Sequence, residues 1–577
     1  MRSWTILLAI TLSTLAAVLP AAAGAQGLPP PTPPPLPPSS SPSTPPVSPE
    51  PSGPPSTAPS KGPSVQPVPI RVDRARVGIV PGATVVVHVT GGAGPLVASP
   101  SFSGVEVYSD AAGRTLTLTG VTNGRGTVTI SDAAGDTAVI NVLVAPPAGV
   151  VPADADVELA GTVSAQYLTA RVQDAIAQLA QMQPGTTLAV GGLTSGTLHA
   201  GDTLEAQARV TVQGHDTYVD QSGTTNVHLR VAALPRLDPA VLFYSDDPER
   251  LGPLDDGVLF RGTIDPSRAA RVYVYHASDV PRRLYLALAA TTGTAHVQVL
   301  GAAAGPTDAY SYVGHLSTLR YLLERAPQES VVATVSSAAP VFVPLGAGPM
   351  LAGQLIAAIY DLRELDGGPV NVMVVAASTG VDPATLLAQP EHPSDGHFRR
   401  GEFSLANVPP LAISYTAGSP EPAPFTVGIR YFADGRAAFP NARPDIVAAA
   451  GQRAPLAGDY GVLRDVALQL VNPTAAAQNV YLYEQPGANG GVTTTIWFDG
   501  DAAPTEIRCV SDPSQRYLVK GFGLAPGQTL NVTGTYMTDG TSFLPLSFGL
   551  TATQPPVAPA NGCGPKPDAP ATNAGQR

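Results

Sequence analysis

Charge is scarce in this chain: Asp, Glu, Lys and Arg make up 13% of 577 residues, about half the usual share of a soluble protein. Lysine is nearly missing, with Lys61, Lys520 and Lys566 beside 29 Arg, which excludes a polylysine-like membrane or phosphate surface. The 32 basic residues are outnumbered by 44 acidic ones, for a net charge of -12. Nucleic-acid binding needs a basic patch or stripe, and this balance has no source for one. Past the first 25 residues no apolar run has the length and continuity of a membrane span. What is abundant is Pro (62) and Gly (58), about a fifth of the chain and a sign of many turns. A single core rarely grows past about 250 to 300 residues, so the length asks for several domains.

The N-terminus reads as an export signal. Arg2 supplies a positive start, Trp4 to Leu19 is apolar and uncharged, and Ala23-Gly24-Ala25 has the small-x-small pattern of a cleavage site. Pro20 and the small residues behind it shorten the run below a retained transmembrane helix. Residues 1–25 are therefore expected to be removed, leaving a mature charge of 31 minus 44, or -13, and no integral membrane span. No Cys follows the apolar run, so a lipid anchor is not expected, and the C-terminus shows no covalent wall-sorting motif. Residues 26–69 follow as a linker, with 19 Pro between 28 and 69. Proline fixes φ and removes a donor, so this segment suits polyproline II and a stalk on the order of 130 Å long. A ligand for PxxP-reading modules is the alternative, and those modules are mostly intracellular.

From Ile70 short Val, Ile, Thr and Leu runs alternate with turn residues, as in Thr84 to Val89, Thr115 to Leu118, Thr127 to Ile130 and Val139 to Val142. Gly126-Thr127-Val128-Thr129-Ile130-Ser131-Asp132 followed by Gly135-Asp136-Thr137-Ala138-Val139-Ile140-Asn141-Val142 resembles the last hairpin of bacterial immunoglobulin-like domains of the Big type. The resemblance covers residues 70–146 and implies a β-sandwich spacer or adhesion module of exported surface proteins, with no catalytic residue. Residues 150–235 read as a small α+β domain: Leu168, Val172, Ala175, Ile176, Leu179 and Met182 recur at helical steps, Ser164 is a fitting N-cap, and Pro184-Gly185 ends the run.

Two longer stretches, 237–382 and 403–553, read as β-sandwiches and as diverged copies of one another, with a linker over 383–402 between them. Arg271 to Tyr275 and Leu284 to Leu288 in the first match Val466 to Leu470 and Asn479 to Tyr483 in the second. Gly353-Gln354, Tyr360 and Asp366-Gly367 match Gly527-Gln528, Tyr536 and Asp539-Gly540 in the same order. Residues 554–577 form a Pro-rich tail. The fold class expected is mainly β: tandem Ig-like β-sandwiches with one small α+β domain, after a signal peptide and a Pro-rich disordered stalk.

Few residues point to chemistry. Cys509 and Cys563 are an even pair in an exported chain, which reads as a disulfide closing a loop of about 54 residues. A catalytic thiol would need a neighbouring His, and none lies within 100 residues of either. Asp246, Asp247, Glu249, Asp255 and Asp256 put five carboxylates in 11 residues, a weak calcium candidate whose spacing is not an EF-hand; the competing reading is a solvated loop. His392 and His397, five apart in the linker, match no metal motif. No Gly-x-Ser-x-Gly, His-Glu-x-x-His or phosphate-cradling loop is present. Glycan binding usually uses stacked aromatics, and the mature chain keeps one Trp, Trp497; Tyr273, Tyr275, Tyr285, Tyr481 and Tyr483 form either a Tyr platform or sheet packing.

The sequence thus reads as a non-enzymatic, exported, extracellular or cell-envelope protein, a structural spacer and interaction or adhesion module without a cofactor unless the acidic loop takes calcium. Its expected partner is an envelope or extracellular protein or a glycan, not nucleic acid. The alternative is a secreted carbohydrate-binding or glycan-hydrolysing protein, which two carboxylates in a concave cleft would favour.

Overall fold

The computed structural model describes residues 68–559, apart from 111, 113, 184, 194–195, 395–399, 406–407, 429–457 and 488–489. The signal segment, the stalk up to residue 67, His397 and Cys563 lie outside the described residues. Two compact units divide the chain between Pro146 and Pro147.

The first unit contains β1 (Arg71–Val72), β2 (Arg76–Ile79), β3 (Thr84–Thr90), β4 (Val97–Pro100), β5 (Val105–Ser109), β6 (Thr115–Gly120), β7 (Gly124–Ser131) and β8 (Thr137–Val144). They form two four-stranded sheets, β1-β3-β6-β5 and β2-β8-β7-β4. Alternation turns Leu116, Leu118, Val128, Ile130, Ile140 and Val142 into one core and leaves the Thr residues between them on the outer faces. The β7–β8 hairpin closes at Asp132, whose carboxylate accepts from the backbone N–H groups of Ala134 and Asp136, both at 2.9 Å. Two sheets around one core make this unit a β-sandwich.

The second unit opens with β9 (Asp154–Ala160), α1 (Ala165–Leu179), β10 (Thr187–Gly191), β11 (Thr203–Gln213) and β12 (Gln221–Ala232). Helix α1 starts where expected: Ser164 Oγ accepts from Tyr167 N–H at 3.2 Å, and Leu168, Val172 and Ile176 are fully buried. The first of two sandwiches follows, with β13 (Val241–Ser245), β14 (Arg250–Leu251), β15 (Gly257–Ile264), β16 (Ala270–Ser278), β17 (Arg282–Ala290) and β18 (Thr294–Thr307). It continues through α2 (Tyr310–Arg325), β19 (Ser330–Ser336), β20 (Val341–Met350), β21 (Gln354–Asp366) and β22 (Val370–Ser378), and β23 (Arg400–Ser404) returns to it. One sheet runs β10-β11-β12-β9-β19-β18-β21-β16-β13-β23, with β14 on the end of β16, and a second, β15-β22-β17-β20, faces it.

The boundary expected near 235 is therefore crossed by main-chain pairing. Strand β9 has β12 on one side and β19 on the other, with Ala160 opposite Ser330 and Leu159 opposite Val331. Leu159, Ile176, Val331 and Leu362 share one core, so the α+β segment extends the first sandwich. The expected linker 383–402 is also stitched down: Arg400 begins the strand paired to β13, and its guanidinium donates to the carbonyls of Leu259 at 3.0 Å and His392 at 2.6 Å.

The second sandwich contains β24 (Leu411–Thr416), β25 (Phe425–Val427), β26 (Leu463–Val471), β27 (Gln478–Pro486), β28 (Val492–Phe498), β29 (Thr505–Val510), β30 (Tyr517–Leu524), β31 (Thr529–Thr538) and β32 (Leu546–Thr551). Its sheets, β24-β26-β31-β28-β29 and β25-β32-β27-β30, reproduce β13-β16-β21-β18-β19 and β15-β22-β17-β20 strand for strand. Even the parallel pair recurs, β13 with β16 and β24 with β26. The two Gly-Gln turns share their chemistry too: Gln354 accepts from Leu351 N–H at 2.8 Å, and Gln528 from Ala525 N–H at 2.7 Å. The repeat seen in sequence is a repeat of topology. Among the described residues no helix is long and apolar enough to cross a membrane.

Candidate functional site

Helix α2 is inserted in the first sandwich between β18 and β19, and the second sandwich has no counterpart among its described residues. It lies on β18 and β21 and reaches across to β28 and β29. Its buried face is mixed: Val313, Tyr321 and Leu322 alternate with His315, Ser317, Thr318 and Arg325. That mixture breaks the apolar stripe by which a helix is read from sequence. Gly314 lets the helix backbone press on the Asp539-Gly540 turn; a Cβ there would stand 2.6 Å from Thr541 N and 2.7 Å from Gly540 N.

This approach buries His315 between two carboxylates of the second sandwich. Its Nδ1 lies 2.7 Å from Asp539 Oδ2 and its Nε2 3.0 Å from Glu506 Oε2. Thr495 Oγ1 donates to Asp539 Oδ2 at 3.3 Å and lies 3.2 Å from Nδ1. The side chains of His315 and Asp539 have no exposure, and that of Glu506 has 21%. Burial disfavours the imidazolium, but the charge and hydrogen bond of Asp539, with those of Glu506, outweigh it and raise the pKa to about 9. The His315 hydrogen bond in turn lowers Glu506. Nearby, burial pushes the carboxyl of Glu484 of β27 up to about 8, which favours its neutral form at pH 7. An imidazolium with both N–H groups committed to carboxylates has no lone pair with which to act as a general base. The arrangement is an ionic clasp joining two sandwiches.

Two further contacts tighten the junction. Arg271 of β16 donates to Asp361 from Nε at 2.7 Å and from Nη2 at 3.1 Å, to Tyr321 at 2.7 Å, and across to the Gly461 carbonyl at 3.1 Å. Tyr273 stacks between Tyr244, with centroids 4.8 Å apart, and Tyr460, at 6.3 Å. Gly461 and Gly540 both back onto Tyr273, and a Cβ on either would crowd its ring or hydroxyl.

The residues singled out in the sequence sit elsewhere. The acidic loop does not gather its carboxylates. Asp256 accepts from Arg282 Nε at 3.0 Å and from the Ser378 N–H and hydroxyl at 2.9 Å; Asp255 meets His392 at 2.8 Å and Gly252 N–H at 2.6 Å; buried Asp247 accepts from Ser394. Asp246 is half-buried, and the Glu249 carbonyl accepts from Ala277 N–H. Among the described residues no group of three or more His, Cys, Asp or Glu side chains could hold a metal ion. Cys509 is buried on β29 and no free thiol is found among the described residues; the expected partner lies outside them. The Tyr set resolves into packing: Tyr273, Tyr275 and Tyr483 are buried, Tyr285 and Tyr481 half-buried, and Trp497 half-covered against the junction core. His276, with both ring nitrogens engaged by Ser245 Oγ and the Pro248 carbonyl, is pulled down to about 4 by burial and is a neutral core residue. His315, Glu484 and Glu506 were not singled out in the sequence, because their partners lie up to 224 residues away.

No family model matches the chain, and no curated protein matches it in sequence. Among solved structures it is similar to the S-layer protein rSbsC, at 16% identity and a TM-score of 0.13, over 27% of this chain and 24% of that one. It is also similar to the fibronectin(III)-like modules of Clostridium thermocellum CbhA, at 16% identity, 29% and 98% coverage and a TM-score of 0.15. A third is the Bacteroides ovatus SGBP-B in complex with a mixed-linkage heptasaccharide, at 11% identity, 49% and 73% coverage and a TM-score of 0.10. The chain spans about a quarter of the S-layer protein.

Proposed function

We propose that this is a non-enzymatic exported protein, a structural spacer and interaction module whose paired sandwiches form one stiff body carried on a Pro-rich stalk. The observation that carries the reading is the clasp: His315, buried and flanked by carboxylates, is consumed in holding the sandwiches together. Arg271 with Asp361, also buried, serves the same junction. A spacer that transmits position needs such stiffness, since interfaces between domains of one chain otherwise permit relative motion.

Glu484 and Glu506, whose pKa values are pushed apart as in an acid–base pair, are the feature that would favour the glycan-hydrolysing alternative. Against it stands the complete burial of Glu484, which keeps that carboxyl from any polymeric substrate. Fractionation of producing cells, with protease shaving of the intact surface, tests the reading. Recovery of a chain lacking residues 1–25 from the shaved or secreted fraction is expected. A full-length chain confined to the cytoplasm overturns it, and Glu484-dependent glycan hydrolysis would replace it.

A further inference from the structure

The two sandwiches share their topology, so a core position that differs between them is informative. Strand β17 of the first turns Leu284, Leu286 and Leu288 into its core. The order of buried and half-buried positions from Leu284 is the same as that from Val480 on the matching strand β27, and it sets Glu484 where the first sandwich has Leu288. Glu484 has no exposed surface, and neither of its carboxyl oxygens has a hydrogen-bond partner among the described residues. Nearly all buried polar groups are bonded, so one that is not calls for a cause, and a bound ion is among the few available.

Other oxygens beside it are in the same state. Thr494 of β28 is 1% exposed and its Oγ1 has no partner; it stands opposite Thr538 in the ladder, and Asp539 follows. Asp539 commits Oδ2 to His315 and Thr495 but leaves Oδ1 unpartnered, as is Thr541 Oγ1 two residues on. The carboxyl of Glu484 is close enough to Thr494, Asp539 and His315 to be influenced by each. The Tyr536 hydroxyl, which donates to Thr538 Oγ1 at 3.3 Å, is influenced by both carboxyl groups. Carboxylate and hydroxyl oxygens are the donor set of a hard cation.

Charge points the same way. Three carboxyl groups, Glu484, Glu506 and Asp539, meet two cationic side chains: His315 bridges the last two, and Arg508 lies 3.8 Å from Glu506. Arg464, opposite Tyr536 on β26, is engaged by Asp459 and the Pro409 carbonyl. Of the three carboxyl groups, Glu484 bonds to no cationic side chain among the described residues. A buried carboxylate without a counter-charge is strongly disfavoured, and a cation beside it removes that cost.

We propose that a calcium ion binds inside the second sandwich, held by both oxygens of Glu484, Asp539 Oδ1 and Thr494 Oγ1, with water completing its shell. Calcium takes six to eight oxygens in irregular geometry, which suits side chains fixed on facing strands, whereas magnesium demands a near-ideal octahedron. The ion displaces the proton that burial favours on Glu484. Asp539 then serves both partners, one oxygen on the His315 imidazolium and one on the ion, so calcium stiffens the turn that the clasp grips. Two carboxylates and a hydroxyl are a sparse set, which places the affinity in the range of extracellular sites, about 0.1 to 1 mM. This site is separate from the acidic loop, where Asp247, Asp255 and Asp256 are engaged by Ser394, His392, Arg282 and Ser378. It goes beyond the spacer reading, which a calcium-free clasp satisfies equally, and surface shaving does not bear on it.

The test is thermal melting and terbium luminescence of the mature chain, refolded from urea so that the ion reaches the core. In about 10 mM calcium, roughly 10 to 100 times the dissociation constant, the melting temperature is expected to rise by about 2 to 5 °C over that in EDTA. Magnesium at the same concentration should move it by less than about 1 °C. Terbium, a luminescent substitute for calcium, should be sensitised by Tyr536 and displaced by calcium. Glu484→Gln, which keeps the shape and removes the charge, is expected to abolish the calcium shift and the luminescence. Thr494→Val should weaken calcium binding by about tenfold or more, the scale on which metal sites respond to a lost contact. Far-UV circular dichroism checks that both variants fold, and if Glu484→Gln does not, an unchanged affinity in Thr494→Val overturns the proposal by itself. A wild type that melts alike in calcium, magnesium and EDTA overturns it, as does a calcium shift that survives Glu484→Gln. A calcium shift lost in Asp256→Asn and kept in Glu484→Gln assigns the ion to the acidic loop and overturns it too.

Discussion

The Asp-Gly turns of the two sandwiches place the same pair of groups in opposite surroundings. Asp366 meets His296 at 2.6 Å with side chains 67% and 41% exposed, whereas Asp539 meets His315 at 2.7 Å with no exposure of either. An exposed pair gains little, because water and salt screen it. A buried pair that loses one member strands a charge in low dielectric, which is costly. The difference stems from α2, which the first sandwich carries, which has no counterpart among the described residues of the second, and which is laid over the turn of the second. A duplicated fold thus acquires its joint through one insertion.

Four measurements would break or sharpen this contrast. The largest effect is expected at the buried charges: Asp539→Ala and Arg271→Ala should each lower unfolding stability by about 3 to 5 kcal/mol in chemical denaturation. A loss under about 1 kcal/mol for both would mean the junction is not closed in solution.

Next in size is pH. The His315 pKa rises from an ordinary value near 6.5 to about 9, so its contribution is fully present below pH 6.5 and is lost as pH climbs through 9. Glu484, raised to about 8, acts in the same direction: its contribution is present below about pH 4.5 and lost as pH rises through 8. Stability should therefore fall from pH 6.5 to 9, with a His315 share on the order of 2 to 4 kcal/mol. His315→Asn should remove that share, and a melting temperature flat across this window would refute an ionic clasp.

A smaller effect is expected from Gly314→Ala, whose methyl must push the turn at 540–541 away; overpacking of this kind costs about 1 to 3 kcal/mol. Amide exchange should quicken around Asp539 and Glu506 while the far sheets stay protected. The smallest change belongs to Asp366→Ala, which should leave the denaturation midpoint within error. A loss comparable to that of Asp539→Ala would erase the distinction between the two turns.

Much of the architecture was legible because it rests on local rules. The alternation of Thr127-Val128-Thr129-Ile130 dictates which side chains face inward, and Ser164 with the Leu168 to Ile176 spacing places the start of α1, though the run read through Met182 ends at Leu179. The repeated Gly-Gln and Asp-Gly steps revealed the duplication because turn chemistry is written in adjacent residues. Helix α2 was not legible, since a helix buried against polar partners carries His315, Ser317 and Thr318 where an apolar stripe is sought. The sheet crossing from β9 to β19 was not either, because strand partners in a sheet are chosen across long separations, here about 170 residues.

Sequence alone determined the strand-rich class, the repeat, and the scarcity of surface charge and chemical motifs, all properties of short windows or of composition. Tertiary structure decided what the titratable residues do. Asp255 and Asp256 became braces, Tyr273 a joint, and His315 a clasp, because burial and the partner brought near set the charge and work of a side chain. Neither is a property of the window in which the residue is written.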